Sequence, residues 1–123
     1  MMWLLVGFAG GSGAVVRFLV DRWMTARIRS SWPVATLVIN VSGSLLLGVV
    51  TGWCWIHAGF DAWQTIIGTG FLGGYTTFSA ACVETMRLIR ERRTIVGSLH
   101  AMGMVAASVI AAGSGWAMMT ISF

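Results

Sequence analysis

An all-α integral membrane protein with four transmembrane helices is the fold the sequence predicts, and three observations predict it. Hydrophobic residues fill 57% of the 123 positions, charged residues only 10%, and mean hydropathy is +0.82. A water-facing domain carries about 25% charged residues, so the charges here are too few to cover a soluble surface. The apolar residues fall into four runs, at about 2–20, 32–56, 62–83 and 95–121. Each is close to the roughly 20 residues that cross a ~30 Å hydrocarbon core. The charges gather between the runs. These features exclude a soluble domain, a soluble enzyme and a disordered chain, and make residues 1–123 a single four-helix membrane domain.

The first run is interrupted only by Arg17. No charge precedes Arg17 and no small-residue cleavage site is evident, so the run reads as a retained helix, not a signal peptide. The second run starts at Trp32-Pro33, and Pro33 suits a first helical turn because its missing N–H costs nothing there. A short turn is expected at His57-Ala58-Gly59-Phe60-Asp61. The third run leads into Glu84, Arg87, Arg90, Glu91, Arg92 and Arg93. The fourth carries His100 and no formal charge. Helices satisfy their own backbone in lipid, and the period-two alternation of a transmembrane barrel is absent.

Glycine is the packing residue. Gly7/Gly11, Gly48/Gly52 and Gly70/Gly74 are G-x-x-x-G pairs, which let helices approach closely. Cys54 and Cys82 lie inside apolar runs and read as small buried residues, not a disulfide framework. The net charge of +4 and pI near 10.6 come from arginines that flank apolar spans, so no nucleic-acid partner is expected. Arg17, Arg22, Arg27 and Arg29 adjoin the first loop, and Arg87, Arg90, Arg92 and Arg93 adjoin the third. The middle loop and both termini carry no Lys or Arg. The positive-inside rule therefore places the two basic loops in the cytoplasm and both termini outside, in one orientation.

Three segments put polar residues inside apolar runs, where they are functional candidates. They are Gly10 to Arg17, Thr36 to Ser44, and Gly70 to Ser79. In the third, Gly73, Gly74, Thr76 and Thr77 are poor local helix formers, so a break is expected in mid-membrane. Asn40 and Ser44 share a helical face, as do His100, Met104 and Ser108.

Taken in order, these segments resemble the Fluc, or CrcB, family of fluoride channels. The marks are Gly10-Gly11-Ser12-Gly13-Ala14-Val15-Val16-Arg17, the stretch from Asn40 to Gly48, and Gly70-Phe71-Leu72-Gly73-Gly74-Tyr75-Thr76-Thr77-Phe78-Ser79. The resemblance implies a passive fluoride path at the interface of an antiparallel, inverted dimer in a bacterial cell membrane. It also implies a structural sodium ion, not transported, held by backbone carbonyls of Gly73 and Thr76 from both subunits. Along the path it implies Asn40 as an N–H donor, Thr77 and Ser79 as hydroxyl donors, and Phe78 as a ring edge facing the anion. Ser44, His100 and Ser108 would line the polar track, and Arg17 would draw anions into a vestibule.

Two departures stand out. Ala81 occupies the position where family members with two working pores carry a second phenylalanine, and Met104 stands where a hydroxyl is common. The arginine bias also opposes dual insertion. Together they point to a partner that is a second, inverted subunit: a divergent paralogue, otherwise a second copy of this chain. A non-conducting subunit that stabilises such a partner remains an alternative. A small multidrug exporter needs an embedded carboxylate, whereas Asp21, Asp61, Glu84 and Glu91 read as lying at span ends or in loops. An enzyme is not expected, since no His-x-x-x-His pair occurs and His100 has no evident catalytic partner in the sequence. No phosphate-binding Gly-x-x-x-x-Gly-Lys-Ser/Thr stretch is present to power transport.

Overall fold

The structure, a computed structural model, describes residues 1–59 and 61–122. The described residues are all-helical apart from short connections. Helices α1 (Met2–Arg27) and α2 (Val34–Ile56) are continuous. The third stretch is composite: α3 (Asp61–Trp63), a π-helical segment (Gln64–Leu72), α4 (Gly73–Tyr75) and, after two extended residues, α5 (Phe78–Arg90). Helix α6 (Thr94–Ser122) completes the chain. Four stretches, Met2–Arg27, Val34–Ile56, Asp61–Arg90 and Thr94–Ser122, are long and apolar enough to cross a membrane.

The helices outrun the apolar runs at the arginine-rich end. The backbone continues helical past the first charge because long arginine side chains carry their heads to the interface. Arg22 lies over the Phe18 ring at 5.7 Å and Arg27 over Trp23 at 5.1 Å. At α2 the start moves inward: Pro33 is the capping residue and not part of the first turn. The expected turn at 57–61 includes Phe60, which lies outside the described residues. Gly59 has φ +102°, a left-handed conformation that favours glycine.

Two helix pairs build the bundle, each closed by glycine. The α1 helix packs along the π-helical segment and α4. A Cβ on Gly13 would collide with the Phe71 carbonyl, and one on Gly74 with the Gly10 carbonyl. The α2 helix packs along α6. There a Cβ on Gly48 would strike the Ala112 carbonyl, and one on Gly115 the Leu45 carbonyl. Contacts advance in the same sense along both members of each pair, so each pair is parallel. That is the geometry of four successive crossings. It brings the α1 end, the α2 start, the α5 end and the α6 start together, and with them both basic loops.

Not every glycine acts this way. Gly7 and Gly11 face open space, so this G-x-x-x-G pair packs nothing within the chain. Cys54 is half-buried and Cys82 exposed, which corrects the buried reading of the cysteines. Cys82 borders an open groove between α2, α5 and α6 instead.

Candidate functional site

Helical backbone ends at Tyr75 and resumes at Phe78. Thr76 (φ −76°, ψ 156°) and Thr77 (φ −146°, ψ 113°) between them are extended. Asn40 of α2 takes up the exposed peptide from both sides. Thr77 N–H donates to Asn40 Oδ1 at 2.8 Å, and Asn40 Nδ2–H donates to the Thr77 carbonyl at 3.0 Å. The Thr77 hydroxyl then caps α5 by accepting from Ala80 N–H at 3.2 Å. The glycines lower the helix preference, but the gap falls on the threonines because both of these partners are built there.

The same bonds have a second effect. In an α-helix Thr77 N–H would return to the Gly73 carbonyl and Ala80 N–H to the Thr76 carbonyl, four residues back. Here the first goes to Asn40 and the second to the Thr77 side chain. The carbonyls of Gly73 and Thr76 are thereby relieved of those donors, and Gly73 is exposed.

An open groove of about 520 Å³ runs beside this gap, between α2, α5 and α6. Asn40, Ser44, Thr77, Phe78 and Ser108 all line it, and so does Met104. Asn40 is buried, and its Nδ2 also approaches Met104 Sδ at 3.6 Å. Phe78 is 80% exposed and projects from the open side. Ser79 is exposed and shares a hydrogen bond of 3.2 Å with the Thr77 hydroxyl, outside the groove lining. Ala81 lines the groove too.

His100 and Arg17 sit elsewhere. Arg17 borders a separate pocket of about 220 Å³ with Asp21, Thr36, Thr77 and Glu84, and its Nε is buried without a hydrogen bond. His100 lies one turn below Met104, outside the groove lining, where Trp32 Nε1–H donates to its Nδ1 at 3.2 Å. Its Nε2 faces Glu84 Oε2 at 3.6 Å. Glu84 sits in α5, six residues before its end at Arg90, and its Oε1 accepts from the Thr36 hydroxyl at 2.6 Å. An apolar run read to its first charge ends at Val83, one residue short of this carboxylate, and its pairing with His100 of the next helix follows no pattern within either run.

The chain matches the family model described as CrcB-like protein, Camphor Resistance (CrcB), over residues 4–116. It is 49% identical over 119 residues to fluoride-specific ion channel FluC 2 of Cutibacterium acnes, covering 96% of this chain and 95% of that one. It is 44% identical to fluoride-specific ion channel FluC 1 of Leifsonia xyli, over 91% of this chain and 82% of that one. To fluoride-specific ion channel FluC 2 of Moorella thermoacetica it is 37% identical, over 94% of each. With a family match across most of its length and relatives this similar end to end, the chain belongs to the CrcB family.

Proposed function

We propose that this chain is a multi-pass membrane subunit that conducts fluoride passively along the groove beside Asn40. It is a fluoride channel of the CrcB family. The observation that carries this reading is the groove itself: Asn40, Ser44, Thr77, Phe78 and Ser108, from three helices, share one wall. Fluoride holds its water tightly, so a path must offer replacement donors. Serine and threonine hydroxyls supply them along the wall. Asn40 has one N–H on the Thr77 carbonyl and the other only on a thioether, a weak acceptor that an anion displaces. The positive edge of the Phe78 ring suits an anion on the open side. Arg17 is the cation that raises local anion concentration at the arginine-rich end.

A groove with one wall needs another, and the exposure of Phe78 supports a second, inverted subunit as that wall. A structural sodium ion fits the same interface. The carbonyls of Gly73 and Thr76, relieved of their helical donors, are hard oxygen ligands of the kind sodium takes. Bound there, the ion holds positive charge between the subunits, and it is not carried. The cell membrane, with both basic loops in the cytoplasm and both termini outside, follows from the arginine distribution.

A second reading is favoured by one contact. Met104 rests against the spare N–H of Asn40, so this chain stabilises a partner that conducts. Fluoride efflux from liposomes separates the two. The chain purified alone is compared with the chain co-expressed with its second subunit, and each is repeated with Asn40→Asp in this chain only. Efflux from the pair that Asn40→Asp abolishes supports conduction along this groove. Efflux that survives the substitution supports the stabilising role. No fluoride efflux from either preparation counts against a channel.

A further inference from the structure

Two arginines near the end of α1 are laid on rings that face outward. The Arg22 guanidinium lies 5.7 Å from the centre of the Phe18 ring, and that of Arg27 lies 5.1 Å from the centre of Trp23. Phe18 is 57% exposed and Trp23 58%. On a helix that crosses a membrane, a ring with that much open surface faces lipid. Among the described residues neither guanidinium makes a hydrogen bond or an ion pair, and the one arginine beside a carboxylate is Arg87, 3.7 Å from Glu91. A guanidinium held over a ring keeps donors free for a further partner.

Their depth says what that partner is. At 1.5 Å per residue, Arg22 stands about 30 Å along α1 from Met2, and Arg27 about 7 Å beyond it. A helix that enters the ~30 Å hydrocarbon core at Met2 therefore leaves it at Arg22 and carries Arg27 through the headgroup layer. The charge at this end suits an anion. Seven arginines share it with Asp21, Glu84 and Glu91. Of these acids, Glu84 is taken up by Thr36 and His100, and Glu91 by Arg87. Every basic residue is Arg and none is Lys, and the guanidinium fork matches two oxygens of one phosphate.

We propose that Phe18 with Arg22, and Trp23 with Arg27, are two seats for the headgroups of anionic phospholipids on the arginine-rich side of the membrane. In each, the guanidinium takes the phosphate and the ring packs against the glycerol and the upper acyl chain. A zwitterionic headgroup offsets its own phosphate with an ammonium, whereas an anionic one leaves that charge to the arginines. The positive-inside orientation puts these seats in the leaflet that holds anionic lipid. The proposal stands apart from the channel reading, and no fluoride measurement enters its test.

The test is native mass spectrometry of the chain in the assembly it forms in detergent. Phosphatidylglycerol and phosphatidylcholine with matched acyl chains are offered together. Phosphatidylglycerol is expected to be retained about tenfold or more over phosphatidylcholine, since each arginine near the surface is worth about fivefold. Arg22→Gln with Arg27→Gln should remove most of that preference. Arg22→Lys with Arg27→Lys keeps the charge but loses the fork, and should lower the preference by about half or more. Arg90→Gln with Arg93→Gln removes the same charge from the other basic loop and should leave the preference within about twofold. Equal retention of the two lipids in the wild type overturns the proposal. Equal loss in the Arg90 and Arg93 variant also overturns it, because the attraction would then be diffuse charge and not two seats. Wild-type preference in the lysine pair overturns the forked contact. Loss of phosphatidylglycerol to millimolar inorganic phosphate would make these sites for a free anion, which overturns the lipid assignment. If the glutamine pair shifts the size-exclusion elution volume, the lysine pair carries the comparison.

Discussion

Asn40 holds the Thr77 peptide from both sides, so replacing it tests path and fold together. In Asn40→Asp the bond from Thr77 N–H survives, but the Thr77 carbonyl faces a carboxylate in place of an amide N–H. A buried carbonyl left unpaired costs about 1–3 kcal/mol. A fixed negative charge within a few ångströms of an anion's route raises its barrier by several kcal/mol. Fluoride efflux from liposomes is expected to fall by about a hundredfold or more, with a lower melting temperature in detergent; efflux at the wild-type rate would remove Asn40 from the path. Phe78→Ala isolates the path from the fold, because the ring is 80% exposed. Efflux should drop while the size-exclusion elution volume stays that of the wild type. These residues were legible in the sequence because they lie in motifs, at spacings that place them on one helical face or in one gap. The bonds of Thr36 to Glu84 and of Trp32 to His100 were not. Their partners lie 48 and 68 residues apart, and no periodicity within one helix relates them.

At the scale of the elements, glycine spacing was legible but its meaning was not. Gly7/Gly11 and Gly70/Gly74 have the same spacing, yet only the second pair is enclosed within the chain. Gly74→Ala should cost about 1–3 kcal/mol, because its Cβ meets the Gly10 carbonyl and backbone cannot give way as a side-chain tip does. Gly11→Ala should leave the melting temperature of the chain unchanged. A loss of stability for Gly11→Ala in the assembled dimer alone would place that face of α1 at the subunit interface. The end of α5 supports another prediction. Arg93 N–H donates to the Leu88 carbonyl at 2.9 Å and Arg92 N–H to the Ile89 carbonyl at 3.0 Å, with Arg92 at φ 58°. That is a Schellman closure with arginine where glycine usually sits. Arg92→Gly should therefore stabilise the chain by about 1 kcal/mol, read as a higher melting temperature, since the left-handed conformation costs a residue with a Cβ about that much. Four helical stretches were readable from apolar runs alone. The π-helical winding of Gln64–Leu72 was not, because no local residue pattern marks it.

At the scale of the molecule, the strongest asymmetry is charge. Seven of the eight basic residues lie at or within a few residues of the two loops that the fold brings to one end, and Arg17 lies ten residues inside α1 on the side of that end. Insertion follows the distribution of Lys and Arg near span ends, so the chain should adopt a single orientation. This can be measured with single cysteines placed in a Cys54→Ser, Cys82→Ser background. Ala58→Cys, in the exposed middle loop, should react with an impermeant thiol reagent on intact cells, and Ser31→Cys should react only after lysis. Equal reaction at both sites before lysis would mean that the chain inserts both ways. The outcome bears on the partner. On the proposed function the groove's open side and outward ring are closed by a facing subunit, and an inverted one must carry the opposite arginine bias. If this chain inserts one way only, that subunit is a different chain, and Ala81 is tolerated because the missing ring comes from the partner. Single orientation together with full efflux from the chain alone would break this argument, since one half of the path would then have no wall.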